Sequence, residues 1–164
     1  MQFKKSVMTA AIFAVGGFVI MSEANAATSD TFNVTLNVSS VCDITAGSAA
    51  DIDLGTADNT VKTGTNAIEV FCSVGVPYKL ALTPSNAGTT GLGVLEGPGD
   101  DIEYQLTQTI GGQAWGNEIG TNTLDSTGTG AYAAQSHGVT VKTTGSTDVA
   151  PGNYTDTVTI SLTL

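Results

Sequence analysis

The chain has 164 residues, room for one domain or at most two. Only 12% are charged, and 15 acidic residues stand against five lysines and no arginine, for a formal charge of −10. That removes the cationic footprint a phosphate backbone requires, and with it nucleic acid as a partner. Twenty glycines and abundant threonine disfavour long helices and favour strands joined by turns.

Residues 1–26 read as a cleaved export signal. Lys4 and Lys5 supply the basic start, 7–21 the apolar stretch, and Ala24-Asn25-Ala26 the small-x-small cleavage site. The alternative, a membrane anchor, is weakened by Ser6, Thr9, Gly16 and Gly17 and by the shortness of the run. No later segment reaches the ~18 apolar residues of a span, so no membrane span is expected after cleavage. Removing Lys4, Lys5 and Glu23 takes the formal charge from −10 to −11. In an oxidising compartment the two cysteines, Cys42 and Cys72, have one possible pairing and are expected to form a disulfide. Closing a loop of about 30 residues is worth about 3–4 kcal/mol in the chain-entropy model. With no CxxC spacing and a single histidine, His137, a metal site is not expected.

The exported chain alternates apolar and polar residues along most of its length. Over 31–39, Phe32, Val34, Leu36 and Val38 face one side and Thr, Asn and Ser the other, which predicts a strand. Further strands are predicted at 41–45, 52–54, 68–74, 78–83, 102–107, 139–143 and 154–164, separated by Gly, Pro, Asn, Asp and Ser clusters. The stretch 86–101, with five glycines and Pro98, reads as a loop or a pair of turns, and Gly111-Gly112 and 128–130 mark others. No repeat of 20–50 residues is present. The expected class is all-β, a two-layer antiparallel sandwich.

Both ends of this chain are unguarded as strands. From 31 to 41 and from 157 to 164 there is no charge, no glycine and no proline, the devices that normally stop a rim strand from pairing with other molecules. One account is that each end is paired within its own domain. The other is that one end donates a strand to another molecule. Burying Phe32, Val34, Leu36 and Val38 is worth on the order of 6–12 kcal/mol before association costs, enough to hold a polymer together.

Other residues carry structural readings. Trp115 and Tyr78 could stack on a sugar, but large aromatics dominate small cores and packing is favoured. His137 has no GxSxG elbow and no spacing that ties it to a Ser and a carboxylate. Asp51, Asp53, Asp100 and Asp101 fit no dense calcium loop and read as solvated turn carboxylates. The triplets at Asn33, Asn37 and Asn153 match the glycosylation pattern, one that arises by chance in Asn/Thr-rich strands. No catalysis and no cofactor are expected.

The order Cys42, Asp53-Leu54-Gly55, Val70-Phe71-Cys72, Gly75-Val76-Pro77-Tyr78, Tyr104-Gln105-Leu106, Trp115-Gly116 and Pro151-Gly152-Asn153-Tyr154-Thr155-Asp156-Thr157-Val158 resembles the spore coat protein U domain family. Its Gram-negative members include pilins of archaic (Csu-type) chaperone–usher pili. The resemblance implies an incomplete immunoglobulin-like sandwich, with 27–40 as an N-terminal donor strand segment and 41–164 as the pilin body. It implies that Phe32, Val34, Leu36 and Val38 enter the groove of another subunit. Tyr154, Val158, Ile160, Leu162 and Leu164 of the C-terminal strand would border that groove, with the Leu164 carboxylate meeting a basic pocket of the chaperone. The implied partners are a periplasmic chaperone, an outer-membrane usher and other pilin subunits. The implied path runs through the periplasm to a cell-surface pilus that serves adhesion and biofilm. This chain departs from relatives in having Leu54 where Phe is frequent, Leu164 where an aromatic is, and no arginine near the central loop. The competing expectation is a self-complete secreted sandwich, either a binding module for polysaccharide or a spore or cell-coat protein.

Overall fold

A computed structural model describes residues 29–46, 51–86 and 88–164. The predicted export signal at 1–26 lies outside them. The chain divides after Asn37 into an N-terminal unit and a body, Val38–Leu164. In the N-terminal unit, 29–37 form no strand, and Phe32, Val34 and Leu36 are exposed. The strand predicted at 31–39 is thus absent. Alternation supplies an amphipathic face, but a strand exists only when a neighbour accepts and donates its backbone hydrogen bonds.

Among the described residues the body contains eight strands: β1 (Cys42–Thr45), β2 (Thr63–Cys72), β3 (Pro77–Pro84), β4 (Leu92–Leu95), β5 (Ile102–Gln108), β6 (Leu124–Thr127), β7 (Gln135–Thr143) and β8 (Val158–Thr163). All pairings are antiparallel, in one sheet of order β1-β2-β7-β5-β4 and a second of order β6-β3-β8. This is the all-β sandwich expected from the alternation. Among the described residues no helix is long and apolar enough to cross a membrane.

Side chains of alternate positions build the core. Ile68, Val70 and Cys72 of β2, Val139 and Val141 of β7, and Tyr104 and Leu106 of β5 meet Tyr78, Leu80 and Leu82 of β3 between the layers. Trp115 is fully buried and donates its indole N–H to the Leu80 carbonyl at 2.9 Å, so it is a core residue and no sugar platform. Cys42 lies directly opposite Cys72 across β1 and β2, and the two are joined as the expected disulfide.

Several boundaries differ from the sequence expectation. The short strand predicted at 52–54 is a loop, although Ile52 and Leu54 still pack against the core. The stretch 86–101 is not all loop, because β4 lies within it. Its Gly93 is required where the Tyr104 ring crosses: a Cβ there would fall 2.2 Å from the ring. That glycine hides a strand from any reading based on apolar alternation. Strand β6 was not predicted, with only Leu124 as an apolar member. The predicted strand at 68–74 starts earlier and ends at Cys72, leaving exposed Val74 in the turn. The last strand is β8 alone, so Tyr154 and Leu164 lie outside it.

Candidate functional site

Strand β8 ends its sheet: it pairs with β3 and, among the described residues, has no neighbour on its other side. Of the edge strands it is the longest, six residues against four in β1, β4 and β6. It also lacks the acidic side chains, Asp43 and Asp125, that two of those carry. Its inward residues Val158, Ile160 and Leu162 stand opposite Pro84, Leu82 and Leu80 on the same face. Leu80 and Leu82 are buried, yet their three β8 neighbours are only half-buried. Ile44 of β1 and Ile52 and Leu54 of the 51–59 loop also pack against the core and are half-buried. The core is therefore less completely covered along β8 than along β3.

A cleft of about 1040 Å³ lies at the start of β8, where Val158 lines it. Residues 51–59 form one wall and 147–158 the other, with Leu95, Ile102, Tyr104 and Val141 as an apolar floor. The first wall sits close because Gly64 of β2 has no side chain: a Cβ there would fall 2.5 Å from Ile52 and 2.9 Å from Leu54. The second wall is shaped by Tyr154, whose ring lies against Gly97 and Gly99 and whose hydroxyl donates to the Ala150 carbonyl at 2.8 Å. Glu96 and Thr155 exchange backbone hydrogen bonds of 3.0 Å, tying that wall to the end of β4.

The cleft walls are mainly acidic. Asp51, Asp53, Asp58, Asp148 and Asp156 line them, and Lys62 is the one cation among the lining residues. Lys62 pairs with Asp58 at 2.7 Å. That hydrogen bond, with another from Thr60, holds the Asp58 carboxyl down at about 2. Asp156 accepts hydrogen bonds from the Tyr104 hydroxyl, from Ser85 and from the Thr157 N–H. Burial first and the Asp156 carboxylate second push the Tyr104 phenol well above its ordinary range. Among the described residues no three His, Cys, Asp or Glu groups are arranged to hold a metal ion.

The residues singled out in the sequence are distributed as follows. Val158, Ile160 and Leu162 lie on the open rim of β8, Tyr154 stands in the cleft wall, and Leu164 is exposed beyond the last strand. Phe32, Val34, Leu36 and Val38 are 86%, 83%, 88% and 78% exposed, a row of four apolar side chains in water. His137 is half-buried on β7, 2.7 Å from the buried Tyr78 hydroxyl, and burial lowers its pKa. Neither His137 nor Tyr78 lines the cleft. Asp100 and Asp101 follow β4 in an irregular segment and do not line it, whereas Asp51 and Asp53 stand in its wall. Sequence reasoning missed the cleft wall at 51–59 and the role of Asp156. The Pro-Gly-rich run before Asp156 marks an irregular segment but does not say what it encloses.

The fold is shared with solved structures, among them the following two. One is the chaperone–tip adhesion subunit pre-assembly complex from archaic chaperone-usher Csu pili of Acinetobacter baumannii, with 22% identity over 77% of this chain and a TM-score of 0.55. The other is a chaperone–tip adhesin complex of CFA/I fimbriae biogenesis, with 13% identity over 74% of this chain and a TM-score of 0.50. The present chain spans 40% and 41% of the length of those two chains. No curated protein matches the sequence. The family model of the Spore Coat Protein U domain matches residues 28–161, most of the sequence, and the chain belongs to that family.

Proposed function

We propose that the chain is a structural subunit of a chaperone–usher pilus, polymerising when the N-terminal segment of one copy fills the open side of the next. The observation that supports this best is the unpaired edge of β8 beside half-buried Val158, Ile160 and Leu162. An incoming strand would pair with that edge and cover those side chains, as in strand addition generally. The segment 31–39 has the matching form: four apolar residues at every second position, uncharged, and held in no sheet. Similarity of the body to chains from chaperone complexes supports a periplasmic chaperone as the first occupant of the groove, with an outer-membrane usher presenting the next subunit. In this reading the chain is not an enzyme, and the fibre stands on the cell surface and serves adhesion and biofilm.

The test appends residues 29–40 after Leu164 through a short Gly/Ser linker. A subunit with an open groove gains its own strand: it stays monomeric, no longer accepts other copies, and melts at a markedly higher temperature. A self-complete sandwich has nowhere to put the extra strand and melts unchanged, which would sink the proposal. Deleting 27–39 supplies the reciprocal arm. The resulting subunit still accepts a donor but cannot follow another subunit in the chain.

A further inference from the structure

We infer that Asp156 is a positioning residue whose carboxylate holds the two sheets apart at the mouth of the acceptor cleft while that cleft is unfilled. The inference rests on the polymerisation reading above and names the part of the body that keeps the groove receptive. Asp156 stands two residues ahead of β8, in the cleft wall. It accepts from the Tyr104 hydroxyl at 2.6 Å, the Thr157 N–H at 2.6 Å, the Ser85 N–H at 3.3 Å and the Ser85 hydroxyl. Tyr104 belongs to β5 in the five-stranded sheet, and Ser85 directly follows β3 in the three-stranded sheet. One carboxylate thus ties both layers to the start of the edge strand.

A sandwich normally sets the spacing of its layers by interdigitated side chains. Where a strand is missing those side chains are missing too. The apolar floor of Leu95, Ile102 and Val141 and the rim residue Val158 then favour closure, because closing the walls removes apolar surface from water. The Asp156 cluster opposes this. Its hydrogen bonds have fixed lengths and directions, and bonds to a carboxylate are the strong kind. Drawing the sheets together would break them and leave a charge among apolar groups. The phenol of Tyr104 acts as a rigid spacer: its ring is buried between the layers and its hydroxyl ends on the carboxylate. An amide in place of the carboxylate has a single acceptor oxygen for these donors, so at least one would go unpaired.

The experiment uses the full exported chain, residues 27–164, as wild type and as Asp156→Asn, Tyr104→Phe and Asp156→Glu. Each is mixed with a fluorescently labelled peptide of sequence 29–40, and capture and release are followed by anisotropy. The expected result is capture at least about tenfold slower in Asp156→Asn and Tyr104→Phe, the scale of a lost charge-assisted bond. Release is expected to change less than about threefold, because the inserted strand then sets the spacing. Asp156→Glu, which keeps the acceptors, recovers part of the capture rate. Tyr104→Phe removes only the hydroxyl and keeps the test valid if Asp156→Asn does not fold. Capture at the wild-type rate in both variants overturns the inference, as does a release rate raised as much as capture is slowed, the mark of general destabilisation. A wild-type chain that takes up no peptide overturns the polymerisation reading itself, and the inference with it.

Discussion

Alternation in the segment 31–39 makes a position-by-position prediction for its binding to the open groove. Leu36 is almost fully exposed in the free chain, so nearly all of its apolar surface is available to be buried on insertion. Fully burying a side chain of that size is worth roughly 1.5–3 kcal/mol. Leu36→Ala removes most of this, about 2 kcal/mol, and 1.4 kcal/mol corresponds to a factor of ten in affinity. The peptide 29–40 carrying Leu36→Ala should therefore bind about 30-fold more weakly. Phe32→Ala, which deletes a larger group, should cost about 100-fold, and Val34→Ala or Val38→Ala about fivefold each. Asn33, Thr35 and Asn37 face away, and their replacement by Ala should change affinity less than about twofold. The assay is displacement of a labelled wild-type peptide by unlabelled variants. A flat profile, or one with losses at the odd positions 33, 35 and 37, would refute the assignment of Phe32, Val34, Leu36 and Val38 as the inserted face.

Three further outcomes follow from the body. Replacing both Cys42 and Cys72 by Ser opens a bridge with a sequence separation of 30, which should cost about 3–4 kcal/mol and lower the melting temperature by about 10–20 °C in calorimetry. Trp115→Phe leaves the Leu80 carbonyl without its indole donor in the core and empties part of the ring's volume. A loss of about 2–4 kcal/mol in urea unfolding is expected, and less than about 1 kcal/mol would contradict the buried role. Asp58 has a folded pKa of about 2 against the usual 3.8, so its contribution is present above pH 3.8 and is lost as pH falls toward 2. In a carboxyl-carbon NMR titration, Lys62→Ala should move that midpoint up toward 3.8.

How much of this was legible in the sequence depended on what each element needs from elsewhere. Strands β3, β5 and β7 were found because their alternate side chains are buried and apolar, so the pattern that places them is written locally. Strand β4 was not found, because its Gly93 serves the Tyr104 ring of the neighbouring strand, a constraint from outside the segment. The segment 31–39 reads as a strand by the same rule as β3, yet it forms none, since pairing depends on a partner and not on pattern. Val158, Ile160 and Leu162 alternate in the sequence and pack against the core, but the position of β8 at the end of its sheet could not be read. It follows from the order of strands in the sheet, which is a property of the whole topology. Asp156 looked like one more polar residue in a turn-rich run. Its three partner residues are Ser85, Tyr104 and Thr157, two of them 71 and 52 positions away.

The distribution of charge fits the proposed stacking of the chain on copies of itself. With a formal charge of −10 over 164 residues, two copies brought together repel unless their contact surfaces are neutral. The outward residues of β8 are Thr159, Ser161 and Thr163, and the polar residues of the segment 31–39 are Thr31, Asn33, Thr35, Asn37 and Ser39. Neither carries a charge. Laid side by side, the two strands would form a seam of hydroxyls and amides outside and aliphatic and aromatic groups inside, with no carboxylate facing a carboxylate across it. Acidic residues stand instead in the cleft walls, in turns and on other strands, Asp43 of β1, Glu69 of β2, Glu103 of β5 and Asp125 of β6, with Asp58 paired with Lys62 and Asp156 saturated with donors. A self-closing sandwich gains from an edge lysine or aspartate, which protects it from aggregation, and neither 31–39 nor β8 carries one. In the proposed polymerisation that lack of charge would leave the two segments free to pair with each other between successive copies.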